Sequence, residues 1–315
     1  MISAPAYPAA WPPPNFLGLP PDRSDWAGSQ ALIFPIPYEA STSYGGGTKA
    51  GPRAILEASA QVELYDAEFG CEPALQYGVH TLPAFATEIG DAEASVSQIA
   101  TVVGELVGSR KLLGILGGEH SLSAGTARAL GRACGPLVTV QLDAHADLRD
   151  TYEGSRWSHA CAARRMLESG SLVQLGIRSL DSSEAQFIAA HPNEVLSISA
   201  DEMHAGSAYR QRVIDRIMGQ NVFLTLDVDA LDPSIMPATG TPEPGGLSWH
   251  QMLDTVRLVA AHSHVLAFDC VELSPIAGLH APNFAAAKLV YKTLNILMHA
   301  RAAPPREGET RGRDM

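Results

Sequence analysis

At 315 residues and a formal net charge of −12, the chain is long enough for one large α/β domain or two ordinary ones. Its acidity disfavours nucleic acid and anionic membrane as partners and mildly favours small cations. No apolar run approaches the roughly 18 residues that span a bilayer, and no basic-then-apolar stretch marks a signal peptide. Cys71, Cys134, Cys161 and Cys270 are scattered without a CxxC pair, a usage that suits reduced thiols and a cytoplasmic location.

In chain order, residues 1–28 hold seven prolines and read as an irregular arm, packed on the domain or on a neighbouring subunit. Ala31-Leu-Ile-Phe-Pro-Ile-Pro is the first strand-like run, and its prolines suggest a fraying or edge position. Ser43-Tyr-Gly-Gly-Gly-Thr follows as a loop; no GK[ST] completes it as a phosphate cradle. A helix starts at Gly51 with Pro in its first turn. Residues 95–109 read as a helix and 111–116 as a short buried strand. That strand exits through Gly117-Gly-Glu-His120 into a helix running to about residue 134, with Ser121 or Ser123 as its cap. Strands are expected at 137–142, 172–177, 194–198, 221–227 and 264–271. Helices are expected at 156–169, 182–190, 207–218, 248–262 and 284–300. The alternation predicts a largely parallel sheet covered on both faces. Residues 29–301 form one domain in this reading, and 302–315 a polar, disordered tail.

The chemistry concentrates at strand ends. Val138-Thr-Val-Gln-Leu-Asp143-Ala-His145-Ala-Asp147 runs an apolar strand into three ligand-type side chains spaced two apart. If the chain stays extended, all three project to one side. Asp227-Val-Asp229 repeats the device, and His120 and Glu272 follow two further strands. In open α/β sheets that carboxyl edge is where ligands bind. Four Asp carboxylates in one cleft would repel one another and take up protons, whereas two divalent cations would cancel their charge. Four Asp and two His without thiolate suit Mn²⁺, with Fe²⁺, Co²⁺ and Ni²⁺ as open alternatives.

Gly117-Gly-Glu-His120-Ser, Asp143-Ala-His-Ala-Asp147, Leu226-Asp-Val-Asp-Ala-Leu-Asp-Pro233 and Val271-Glu-Leu-Ser-Pro275 together resemble the ureohydrolase family, the arginases and agmatinases, over roughly residues 30–300. Trp157-Ser-His159-Ala-Cys-Ala-Ala-Arg-Arg and Gly240-Thr-Pro-Glu-Pro-Gly-Gly-Leu-Ser resemble the agmatinase branch. The resemblance implies a three-layer α/β/α fold on an eight-stranded parallel sheet, assembled as a homotrimer or homohexamer. It implies two Mn²⁺ per subunit, one on His120, Asp143, Asp147 and Asp227, the other on His145, Asp143, Asp227 and Asp229. His159 would be the proton shuttle and Glu272 the partner of a substrate guanidinium. A guanidinium carbon is a poor electrophile, so its hydrolysis needs a strong nucleophile and a proton for the departing amine, which fits these roles.

Some positions depart from the family pattern. Glu119 stands where Asp is frequent, and the residues after His159 read Ala-Cys-Ala-Ala where agmatinases commonly have Gly-Thr-Pro-Phe. Arg149 is either a salt-bridged surface residue or a handle for a carboxylated substrate. The expected activity is hydrolysis of a small cationic guanidino compound to urea and an amine, with agmatine the leading substrate and arginine or 4-guanidinobutyrate the rivals. A one-zinc deacetylase would need a different ligand set. An inactive metal-stabilised scaffold would not need His159 and Glu272.

Overall fold

In the computed structural model, which describes residues 15–86 and 91–303, the apolar runs become eight strands. They are β1 (Ala31–Ile36), β2 (Val79–Thr81), β3 (Leu112–Gly117), β4 (Leu137–Leu142), β5 (Gly170–Ile177), β6 (Val195–Ser199), β7 (Asn221–Asp227) and β8 (His264–Val271). All pair in parallel in one sheet of order β2-β1-β3-β8-β7-β4-β5-β6. Side chains alternate faces and both faces are apolar. Val222, Leu224 and Leu226 enter one core while Phe223 between them enters the other. Helices Gly51–Ser59, Tyr209–Ile217, Trp249–His262 and Ala281–Ala302 cover the first face. Ala92–Val107 and Leu122–Cys134 cover the second, which completes three layers.

β1 is not an edge strand: the three-residue β2 lies outside it. Pro35 is tolerated because its carbonyl accepts from Phe85 N–H on the outer side. The missing N–H therefore faces away from the β3 ladder. Sequence periodicity did not indicate β2, nor the short helices Pro73–Tyr77 and Ala200–Ala205, which are too brief to show a period.

The helix expected over 156–169 is broken into a 3₁₀ turn (His159–Cys161), one α turn (Ala162–Met166) and a second 3₁₀ turn (Leu167–Ser169). Two tertiary bonds compete with the helical ladder. Arg149 N–H donates to Ala160 O, and Arg164 N–H donates to Asp147 O. The segment is thereby tied to the loop that follows β4.

Of the proline-rich arm, the described part folds back on the first core, burying Phe16, Leu17 and Leu19. Residues 1–14 of the arm and 304–315 of the expected tail lie outside the described residues. The four central strands, β3, β8, β7 and β4, are direct neighbours, so the loops after them open on one stretch of the carboxyl edge.

Candidate metal centre and active site

His120 leaves β3 through Gly118, and the approach there is close. A Cβ on Gly118 would lie 1.9 Å from Tyr38 O, so only glycine lets the 36–41 segment pack on this turn. Neither Ser121 nor Ser123 caps the following helix. Their hydroxyls instead donate to Glu119 Oε1 (2.5 Å) and Asp269 Oδ2 (2.5 Å), because both side chains point inward and are buried.

The other ligand-type residues arrive by two different devices. β4 stops at Leu142, and the chain does not stay extended to Asp147, which adopts φ +51°. Asp229 is placed by a 3₁₀ turn, Val228–Ala230, whose start is closed by Asp227 accepting from Asp229 N–H (2.8 Å). The convergence expected from strand alternation is achieved by these turns. Glu272 also takes a left-handed conformation, φ +65°, immediately after β8. Two non-glycine residues held in that region, each at a cost of about 1–3 kcal/mol, lie in the same cleft.

His120 Nδ1 lies 3.0 Å from Asp143 Oδ2, 3.2 Å from Asp227 Oδ2 and 3.3 Å from Asp147 Oδ2. His145 Nδ1 lies 2.9 Å from Asp229 Oδ2 and 3.7 Å from Asp143 Oδ1. His120–Asp143–Asp147 and Asp143–His145–Asp229 each bring one donor atom per residue within 4.8 Å of the others, with Asp143 common to both. His120 Nδ1 is buried yet makes no hydrogen bond of acceptable angle, whereas its Nε2 sits 2.9 Å from Thr225 Oγ1. If Nε2–H donates to Thr225, Nδ1 presents a lone pair to three carboxylate oxygens. A metal ion between them makes that arrangement favourable, as a proton on Nδ1 does in its absence, so the donor set fits a metal.

The electrostatics agree. Burial pushes Asp227 well above the ordinary carboxylate range, and Asp229 and Asp143 push it further. Burial and Asp143 likewise raise Asp147. Burial opposes charge on His145, but Asp143 and Asp229 outweigh it and push the imidazole up to about 12. Burial also opposes charge on His120, and Asp143, Asp147 and Asp227 overcome it, leaving its pKa well above the usual imidazole value. In the absence of a cation, the cluster neutralises itself with protons.

The cleft beside this cluster has a volume of about 230 Å³ and is lined by His145, Asp147, Asp227, Asp229, His159 and Glu272 among others. All eight residues singled out from the sequence therefore meet in one place. His159 begins the 3₁₀ turn after Ser158. Its ring is 3.4 Å from Ser41 Oγ at Nδ1, 3.4 Å from Ser43 Oγ at Nε2, and edge-on to Tyr152. Glu272 Oε1 accepts from His120 N–H at 2.6 Å, and its pKa is raised well above normal by burial and then by Glu119. Arg149 lines the same cleft. Its Nε is 3.3 Å from Asp181 and 3.8 Å from Glu184, and its guanidinium lies over Tyr152. Cys161 is fully buried, and burial raises its thiol to about 11, in keeping with a packing role.

The sequence reading missed a row of polar residues inside the strands. Gln141 Nε2 donates to Asp143 Oδ2 (2.7 Å), Gln174 Nε2 donates to Gln141 Oε1 (2.9 Å), and Thr225 contacts His120. A signal was available. Gln141 and Thr225 each stand two residues before an Asp, on the same strand face, within an otherwise apolar run.

Residues 29–295 match the Arginase family. The chain belongs to that family. Among its relatives, an N(1)-aminopropylagmatine ureohydrolase from Synechocystis sp. is 38% identical over 279 residues, covering 86% of this chain and 90% of that protein. An agmatinase from Pyrococcus horikoshii is 31% identical, covering 84% and 91%. The solved structure of a proclavaminate amidino hydrolase from Streptomyces clavuligerus superposes with a TM-score of 0.83 at 26% identity, covering 93% of this chain and 98% of that one. This member of the arginase family is a hydrolase of carbon–nitrogen bonds in amidines, with His and Asp groups arranged to hold a binuclear divalent metal centre.

Proposed function

We propose that the chain hydrolyses an elongated guanidino cation, N(1)-aminopropylagmatine or agmatine, releasing urea and the corresponding amine. The observation that carries this reading is the convergence of His120, Asp143, His145, Asp147, Asp227 and Asp229 beside a cleft walled by His159 and Glu272. His120, Asp143, Asp147 and Asp227 would hold one cation; His145, Asp143, Asp227 and Asp229 would hold the other. Oxygen and nitrogen donors without thiolate suit Mn²⁺. Bound divalent cations acidify water, which is the chemistry the centre supplies.

The protein's own groups do the rest. Glu272 receives the guanidinium fork, and the bound positive charge offsets the burial that raises its pKa. His159 carries the proton that the departing amine takes up. Arg149 is the sole Lys or Arg among the described residues lining the cleft, and Asp181 and Glu184 already engage it. Among the described residues that leaves no uncommitted cationic side chain there for a substrate carboxylate, which favours a polyamine-type tail over arginine or 4-guanidinobutyrate. The 38% and 36% identity to N(1)-aminopropylagmatine ureohydrolases supports the longer substrate.

The same reading takes residues 29–301 as one catalytic domain, with 1–28 as an arm and 302–315 as a tail, and the chain as a homotrimer or homohexamer in the cytoplasm. All four cysteines are free, as a reducing compartment requires, and no helix among the described residues is long and apolar enough to cross a membrane. The test is urea release by Mn²⁺-loaded protein from N(1)-aminopropylagmatine, agmatine, arginine and 4-guanidinobutyrate side by side. Preference for either amine-tailed compound supports the reading. Preference for a carboxylated one overturns the substrate assignment.

A further inference from the structure

Glu119 is fully buried next to His120, and both of its carboxylate oxygens are engaged by the 40–41 segment and Ser121. Its Oε2 accepts from the backbone N–H groups of Ala40 (2.5 Å) and Ser41 (2.6 Å), and its Oε1 from the hydroxyls of Ser41 (2.8 Å) and Ser121 (2.5 Å). Four donors converge on one carboxylate, which makes it an acceptor on every side. The Ser41 hydroxyl has a single proton, and the short contact to a carboxylate claims it. Ser41 Oγ is then an acceptor toward everything else it touches.

What it touches is His159, twice. His159 N–H donates to Ser41 Oγ at 2.9 Å, and Nδ1 lies 3.4 Å from the same oxygen. An oxygen that cannot donate favours Nδ1 in its N–H form. Ser158 Oγ, 3.3 Å from Nδ1, is a hydroxyl that can also accept from an Nδ1–H. Nε2 then keeps the lone pair on the side of Ser43, a residue that lines the cleft. We propose that Glu119 is a positioning residue that acts through Ser41, fixing the ring orientation and the Nδ1–H tautomer of His159 so that Nε2 exchanges the proton with the departing amine.

This rests on His159 being the proton carrier of the proposed reaction, and the test separates the two. The full-length protein is labelled with ¹⁵N-histidine and studied metal-free at a pH where imidazole is neutral. The His159 signals are identified by their loss in His159→Asn. Wild type is expected to show Nδ1 protonated and Nε2 unprotonated. Ser41→Ala is expected to shift both nitrogens toward the mixed or Nε2–H pattern, and Ser41→Thr to restore the wild-type pattern. In Mn²⁺-loaded enzyme, Ser41→Ala should lower kcat by roughly tenfold to a hundredfold with KM changed by less than about threefold, again restored by Ser41→Thr. Glu119→Gln should follow Ser41→Ala in both readouts, and if it does not fold, the Ser41 pair decides. Unchanged His159 signals in Ser41→Ala overturn the proposal. A tautomer shift in a protein inactive on every guanidino compound would uphold the positioning and overturn the proposed reaction.

Discussion

Thr225 Oγ1 and His120 Nε2 lie 2.9 Å apart inside the sheet, and this contact turns the opposite ring nitrogen toward Asp143, Asp147 and Asp227. Thr225 in turn neighbours Asp269, a buried carboxyl whose pKa is raised by burial and which also receives the Ser123 hydroxyl. A strand residue thus sets the ring plane of a residue on a different strand end. Thr225→Val keeps the shape and removes the acceptor. Metal affinity is expected to fall by about 10–100-fold, with the far-ultraviolet spectrum unchanged. Competition with a chelator of known affinity measures it.

Metal binding should release protons and strengthen with pH. Asp147, Asp227, His120 and His145 all have raised pKa values without a cation, so each holds its proton to a higher pH than in water. A cation displaces those protons, and affinity therefore rises as pH rises and collapses as it falls. Calorimetry of Mn²⁺ binding in two buffers of different ionisation enthalpy should show net proton release near neutral pH. Proton uptake, or none exchanged, would contradict this account of the cluster.

Much of this site was legible before the fold. Four motifs each fall on the end of a strand, and the sheet order makes those strands neighbours, so their convergence follows from topology. What escaped is local backbone geometry. Asp147 and Glu272 sit at positive φ, and Asp229 sits in a 3₁₀ turn. No periodicity encodes these conformations, because tertiary contacts impose them. The broken 156–169 helix fails for the same reason, since Asp147 O captures the Arg164 N–H. Glu119 was visible only as a departure from a family pattern, and its bond to Ser41 joins residues 78 positions apart.

Arg149→Ala tests the charge balance at the cleft. Asp181 and Glu184 lose their cation while the metal cluster is untouched, so KM for an amine-tailed substrate should stay equal or fall, with kcat within about threefold of wild type. Steady-state kinetics on agmatine and N(1)-aminopropylagmatine provide the check. A rise in KM of tenfold or more on both would show that Arg149 itself supports the substrate.

Stability has a separate centre. Lys292 Nζ, almost buried, pairs with Asp66 (2.8 Å) and Glu68 (2.6 Å), tying helix Ala281–Ala302 to the loop after residue 59. Lys292→Met leaves Asp66 buried without its cation and is expected to cost about 3 kcal/mol in chemical denaturation. Arg257 first, and Lys292 after it, hold Glu68 down to about 2. Lys292 and Asn295 overcome burial to lower Asp66. Stability from these depressed carboxylates is present above their ordinary values near 4 and is lost as pH falls toward about 2. Lys292→Met should flatten that acid limb.

Two divalent cations are expected in one cleft, held by six side chains. Anomalous diffraction from Mn²⁺-loaded crystals, recorded at the manganese edge, tests this most directly. The expected result is two peaks per chain, one among His120, Asp143, Asp147 and Asp227, the other among His145, Asp143, Asp227 and Asp229. A single peak, or peaks away from these residues at saturating metal, would contradict it.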